Sequence, residues 1–97
     1  MSGSTPLLHR SPNILFRTVG DEIILAADGR SNFDVLGGGA AAVWLALEEP
    51  MNEADLLARL ADAVGVDRGV IEHDVRAVLD KLVRRGALLR QAFIDGP

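Results

Sequence analysis

Three consecutive glycines, Gly37-Gly38-Gly39, divide this 97-residue chain into halves with different periodicities. Before them the apolar residues come in short runs broken by turn residues, the pattern of β-strands. After them the apolar residues recur every three to four positions, the pattern of amphipathic helices. Glycine extends neither element well, and the run permits a sharp change of direction between them. Strands followed by helices predict an α+β fold rather than a parallel α/β sheet.

The strand half reads as three segments. Asn13 to Val19 is the first, with Ile14 and Phe16 on one face. Gly20-Asp21 is a turn, and Asp21 to Ala27 is the second strand, its Ile23-Ile24-Leu25 run suggesting partial burial on both faces. Asp28-Gly29 is a hairpin signal, because both residues tolerate positive φ. The third strand, Arg30 to Leu36, places Phe33 and Val35 on one face and Asn32, Asp34 and Leu36 on the other. With the second strand on one side, it has a free backbone edge on the other.

The helical half also reads as three segments. Ala40 to Leu47 is a short apolar helix with Val43, Trp44 and Leu47 facing inward. Asn52 caps a second helix, with Asp55 at its positive end. Leu56, Leu57, Leu60, Ala63 and Val64 are its expected inner face, and Gly65 ends it. Asp67 caps a third helix that runs to about Arg85. Its apolar stripe centres on Ile71, Val75, Val78 and Leu82. Leu79 and Val83 lie at one margin beside Arg76. Val70 lies at the other, beside Asp74, Lys81 and Arg85. The stripe is wider than a single contact needs, so one margin is expected to be exposed. Ala87-Leu88-Leu89 is an apolar tail able to return as a wing-like strand. The expected architecture is a winged helix-turn-helix: a three-stranded antiparallel sheet followed by three helices. Residues 1–12 are expected to be a flexible N-terminal segment, 13–90 the folded domain and 91–97 a flexible tail.

Several function classes find no support. The chain has no cysteine, which removes disulfides and thiolate chemistry. Neither His9 nor His73 has a second ligand at a metal spacing. The serines lie in no nucleophile motif. The glycine run lacks both the P-loop Lys-Ser/Thr and the dinucleotide fingerprint, so it reads as a turn. No enzyme and no cofactor is expected. Net charge is −4, whereas DNA-binding domains draw much of their affinity from a basic surface. The early third helix, where a winged helix would read DNA, carries Asp67, Glu72 and Asp74. No segment resembles a signal peptide or approaches the roughly 20 apolar residues of a membrane span, so a cytoplasmic protein without membrane or nucleic-acid partners is expected.

The residues Val35-Leu36, Ala40-Ala41-Ala42-Val43-Trp44, Leu56-Leu57-Ala58-Arg59-Leu60, Asp74-Val75, Leu79, Leu82 and Arg85-Gly86-Ala87-Leu88 occur in an order that resembles the PqqD family. These are small peptide-recognition proteins of ribosomal natural-product pathways, among them the discrete leader-binding proteins of lasso-peptide pathways. The resemblance spans about Asn13 to Leu89. It departs from the family at Gly37-Gly38-Gly39, where Leu-Asn and a small hydroxyl residue usually lead into the first helix, so the usual helix cap is missing. The resemblance implies non-catalytic binding of a precursor peptide's leader, which adds as a strand at the third strand and is presented to a protease, cyclase or radical enzyme. The residues it implicates are Ser31, Asn32, Phe33, Asp34, Val35 and Leu36 on the edge, with Val75, Leu79, Leu82 and Val83 lining a groove. Arg76 and Lys81 are placed to pair with acidic leader residues. The competing expectations are a winged-helix DNA-binding regulator and a structural dimerisation module that pairs through the same edge.

Overall fold

The computed structural model describes residues 6–27 and 33–92. The first element is unexpected. Pro6–Arg10 forms a strand, β1, although the segment was expected to be flexible. It pairs antiparallel with the last strand, β5, Leu88–Ala92. On its other side Leu8 bridges Met51, with both backbone bonds made (Leu8 N–H to Met51 O, 2.8 Å; Met51 N–H to Leu8 O, 3.2 Å). Leu8 is fully buried. The apolar tail therefore does return as a strand, but its partner is the N-terminal segment. Gln91 and Ala92, expected in a flexible tail, belong to this two-stranded ribbon.

The expected sheet is present as β2 (Ile14–Val19), β3 (Glu22–Ala27) and β4 (Phe33–Leu36), antiparallel throughout and in the order β2-β3-β4. Val19 pairs with Glu22, leaving Gly20-Asp21 as a two-residue loop. Gly20 has φ +60°, the sign a type II′ turn requires at its first central position. The Asp28-Gly29 turn and Ser31-Asn32 lie outside the described residues. Alternation decides the faces. Ile23, Leu25 and Leu36 point into the core. Leu15, Val19, Phe33 and Val35 lie on the opposite face and are exposed.

The three helices are α1 (Gly38–Ala46), α2 (Glu53–Val64) and α3 (Arg68–Arg84). α1 begins two residues earlier than the alanine run suggests, so Gly38 and Gly39 belong to the helix. Its N-cap, Gly37, offers no side-chain bond, as the departure from the family pattern predicts. Val43, Trp44 and Leu47 are all buried. α2 is capped by Asn52, whose Oδ1 accepts from the Asp55 N–H at 2.7 Å. Gly65 (φ +83°) closes it, with the Gly65 and Val66 N–H groups both donating to Ala61 O. The inner face of α2 is Leu56, Leu57 and Ala61. Ala63 and Val64, expected inside, are exposed, because the buried row follows the Leu57-to-Ala61 spacing rather than drifting on to the next turn.

α3 differs from expectation in a way that bears on the site. Its buried row is Val75, Leu79 and Leu82. Leu79 was expected at a margin but sits at the centre, completely buried. Ile71 and Val78 were expected at the centre but are only half-buried. The helix is rotated so that its spare apolar width falls on the side of Asp74, Val78, Lys81 and Arg85.

One residue joins the two sheets to the helices. Arg10, at the end of β1, donates from Nε and Nη2 to the Trp44 carbonyl at 3.0 and 2.6 Å. Its guanidinium also lies 4.7 Å from the Phe16 ring centre and 4.8 Å from that of Trp44. The two rings meet edge-to-face at 5.4 Å. Arg10 thus supplies a cation and hydrogen-bond donors at the negative end of α1, while its planar group stacks on both aromatics. Burial holds its pKa below the ordinary value, with Glu48 acting in the opposite sense.

Candidate functional site: the β4 edge and the flank of α3

β4 pairs only with β3 among the described residues, so its other edge presents unpaired backbone groups. An exposed strand edge accepts another strand unless something blocks it. Nothing in Phe33-Asp34-Val35-Leu36 blocks it: there is no proline and no lysine in the strand.

The α3 surface facing this edge is identified by an ion pair. Arg85, at the C-cap of α3, donates from Nη1 to Asp34 Oδ1 on β4. At 100° per residue, Lys81, Val78 and Asp74 lie on the same flank as Arg85, one to three turns back. Lys81 and Asp74 are exposed and Val78 is half-buried. The flank therefore runs from cationic at the Arg85 end to acidic at Asp74.

Beyond the end of β4 the same flank borders an apolar cavity of about 200 Å³. Gly39 and Ala42 of α1, Leu60 of α2, and Ile71 and Val78 of α3 contribute its walls. Asp74 is the one charged residue lining it. A second, larger hollow of about 510 Å³ lies between the starts of α2 and α3 and is lined chiefly by charged residues, including Glu53, Glu72 and Arg76.

The implicated residues divide accordingly. Ser31 and Asn32 lie outside the described residues. Phe33 and Val35 are exposed on the outer face of the sheet, Asp34 is half-buried, and Leu36 is in the core. Leu79 and Leu82 are fully buried in the core, and Val75 is buried with them but also lines the apolar cavity. Arg76 points the other way, toward α2. Its guanidinium bonds Glu53 at 2.7 Å and Glu72 at 2.8 Å. The Glu53 hydrogen bond, then the Glu72 charge, raise its pKa. Val83 is half-buried on that same far side of α3. Of the helix residues implicated, Lys81 alone lies on the flank that faces β4. Arg85, Asp74 and Val78 were not selected, although the spacing 74-78-81-85 marks one flank in the sequence. What the sequence lacked was the ion pair that says which flank meets the strand.

This arrangement of edge strand and third helix falls within residues 19–88, which match the family model described as coenzyme PQQ synthesis protein D (PqqD). The chain belongs to the PqqD family. The match takes in β3, β4 and all three helices. It leaves out β1 and nearly all of β2. No curated protein matches the PqqD-family chain. Among solved structures it is similar to TbiB1 in complex with the TbiA(beta) leader peptide, with a TM-score of 0.72 and 22% sequence identity. The alignment covers 90% of this chain and 99% of TbiB1, and at that identity it establishes the shared fold. That fold is the α+β winged-helix arrangement expected from the sequence, with the β1–β5 ribbon added. No helix among the described residues is long and apolar enough to cross a membrane.

Proposed function

We propose that this PqqD-family protein binds the leader segment of a ribosomally made precursor peptide and presents it to a modifying enzyme. The peptide adds as a fourth strand at the free edge of β4. The observation that carries this reading is the pairing of an unblocked edge with a half-apolar, charged helix flank beside it. An edge alone would bind any extended chain. A flank alone would bind side chains without fixing their register. Together they supply main-chain bonds for affinity and side-chain contacts for selection. The solved neighbour TbiB1, which shares the fold, was captured with a leader peptide.

The contacts differ from those implied by the family resemblance. Leu79 and Leu82, fully buried, act from below by seating α3 on the core, while Val75 also borders the apolar cavity. The surfaces offered to the peptide are the backbone of Phe33 to Leu36 and the side chains of Val78, Lys81 and Arg85. Arg85 already spends one donor on Asp34, which fixes the guanidinium beside the edge. Lys81 has no ion-pair partner among the described residues and is the group placed to meet a leader carboxylate. No step in this account requires bond-making, so the protein is a binding component and the chemistry belongs to its enzyme partner.

Amide hydrogen exchange tests the reading. On adding a bound leader peptide, alternate amides among Phe33 to Leu36, those that point away from β3, are expected to slow strongly. The outward amides of β2 and β5, the other exposed edges among the described residues, should exchange as before. Protection at β2 or β5 with β4 unchanged would place the peptide on the wrong edge.

A further inference from the structure

The outer face of the β2-β3-β4 sheet has the composition of a core. Six of its eight outward positions are apolar: Leu15, Val19, Ile24, Ala26, Phe33 and Val35. An antiparallel sheet that packs one face on its core ordinarily turns polar residues to water on the other. Here the inner face carries Ile23, Leu25 and Leu36, yet the outer face is also apolar. The consecutive Ile23-Ile24-Leu25 of β3 supplies both sides at once. No described element covers the outer side chains: Leu15 is 68% exposed, Phe33 64%, and Val19 and Val35 50% each. These four present roughly 400 Å² of apolar surface, within the range of roughly 300–600 Å² in which a monomer's largest patch is often functional.

The two charges on this face identify what covers it. Arg17 lies opposite Ile24 and Glu22 opposite Val19, so they are diagonal neighbours on adjacent strands. Neither belongs to an ion pair among the described residues. A surface with one cation and one anion, each without a partner, is complementary to itself. Under a two-fold axis the Arg17 of each copy meets the Glu22 of the other, and two pairs form at once. The second copy brings a matching apolar surface as well. With strands about 4.8 Å apart and a rise of about 3.4 Å per residue, the axis that exchanges Arg17 and Glu22 passes closest to Ile24 and Val35, and the strands of the two copies cross at roughly 70°. That is near the orthogonal class of sheet packing, and it sets Ile24 and Val35 against their own counterparts.

We propose that the outer face of the sheet is a self-association surface, through which two copies of this chain form a two-fold dimer. The contact is made by side chains, so the backbone edge of β4 stays unpaired in the plane of the sheet. It therefore differs from dimerisation through that edge, which would consume it. The dimer carries two free β4 edges, and the inference stands whether or not a peptide adds there. Two patches with their charged rim bury roughly 1,000 Å² in total, at the lower limit of specific interfaces. Association is accordingly weak, with a Kd of about 10–100 µM, and follows the local concentration of the protein.

Sedimentation equilibrium of the full chain over about 5–500 µM, at about 0.15 M salt, reads this directly. A concentration-dependent monomer–dimer equilibrium is expected. Val35→Lys sets like charges against each other near the axis and should weaken the dimer about tenfold or more. Val35 is exposed, so the variant should melt close to the natural chain. Arg17→Glu and Glu22→Arg should each weaken the dimer about tenfold, because both pairs then bring like charges together. The double reversal should restore it, since the pairs re-form with their signs exchanged. If Val35→Lys folds poorly, the reversal series carries the test alone, as Arg17 and Glu22 are both exposed. A chain that stays monomeric at the highest concentration would overturn the proposal. So would a dimer indifferent to these substitutions, which would pair through another surface, the β4 edge included.

Discussion

Leu79 shows how position on a helix separates support from contact. It has no exposed surface, so Leu79→Ala should destabilise the protein by about 2–5 kcal/mol, as deletion of a buried leucine side chain does. Chemical denaturation measures this, and peptide affinity of the remaining folded protein should change little. Lys81 is the opposite case. It is exposed on the flank beside β4, and Lys81→Glu should shift stability by less than about 0.5 kcal/mol while weakening an acidic peptide severalfold in calorimetry. A Lys81→Glu protein that melts early but binds normally would reverse these assignments. Arg10 is a third kind of residue. Its two bonds to the Trp44 carbonyl and its stacking on Phe16 and Trp44 tie β1 and β2 to the end of α1. Arg10→Ala should cost about 1–3 kcal/mol. Arg10→Lys should recover only part of that, because an ammonium cannot reproduce the planar stack. Thermal melts of the two variants would separate stacking from charge.

At the scale of elements, β2, β3 and the three helices follow from local signals: a Gly-Asp turn, the Asn52 cap, the Gly65 and Gly86 stops, and helical apolar spacing. β1 does not. Pro6-Leu7-Leu8-His9-Arg10 has only one fully buried side chain, and its partners are Met51 and a strand about 80 residues away. Nothing within the segment announces a pairing at that distance, whereas its proline and serine neighbours suggest looseness. The rotation of α3 was hidden for a related reason. Its stripe is broad enough to be centred on either Ile71-Val78 or Val75-Leu79-Leu82, and only packing against the sheet, α1 and α2 selects the second. Half of the candidate site was therefore legible: the β4 edge was recognisable, but the flank of α3 was not. β1 also gives a test at its own scale. Removing residues 1–10 should strip the cover from Leu88 and the seat of Leu8, at a cost of about 3 kcal/mol or more in urea melts. β4 lies in the other sheet, so the truncated protein should retain peptide binding under conditions where it remains folded.

At the scale of the whole molecule, the proposed function uses the winged-helix arrangement for a strand edge rather than for reading a DNA groove. α3 exposes Asp74 and Asp80, and its N-terminal turn follows the exposed Asp67. These charges disfavour phosphate, and the chain as a whole carries −4. The Arg85–Asp34 ion pair ties β4 to the end of α3, whose flank changes sign along its length, and the β1–β5 ribbon packs against α2 and α3. The central claim is that a peptide joins the sheet through its backbone. N-methylation of one peptide amide at a time tests this most directly, because it removes a donor while leaving the side chain in place. Strand addition predicts that sensitive and tolerant amides alternate along the run paired with Phe33 to Leu36, with each sensitive position losing about tenfold or more in affinity. A run of consecutive sensitive amides, or uniform tolerance with affinity carried by side chains alone, would contradict the account.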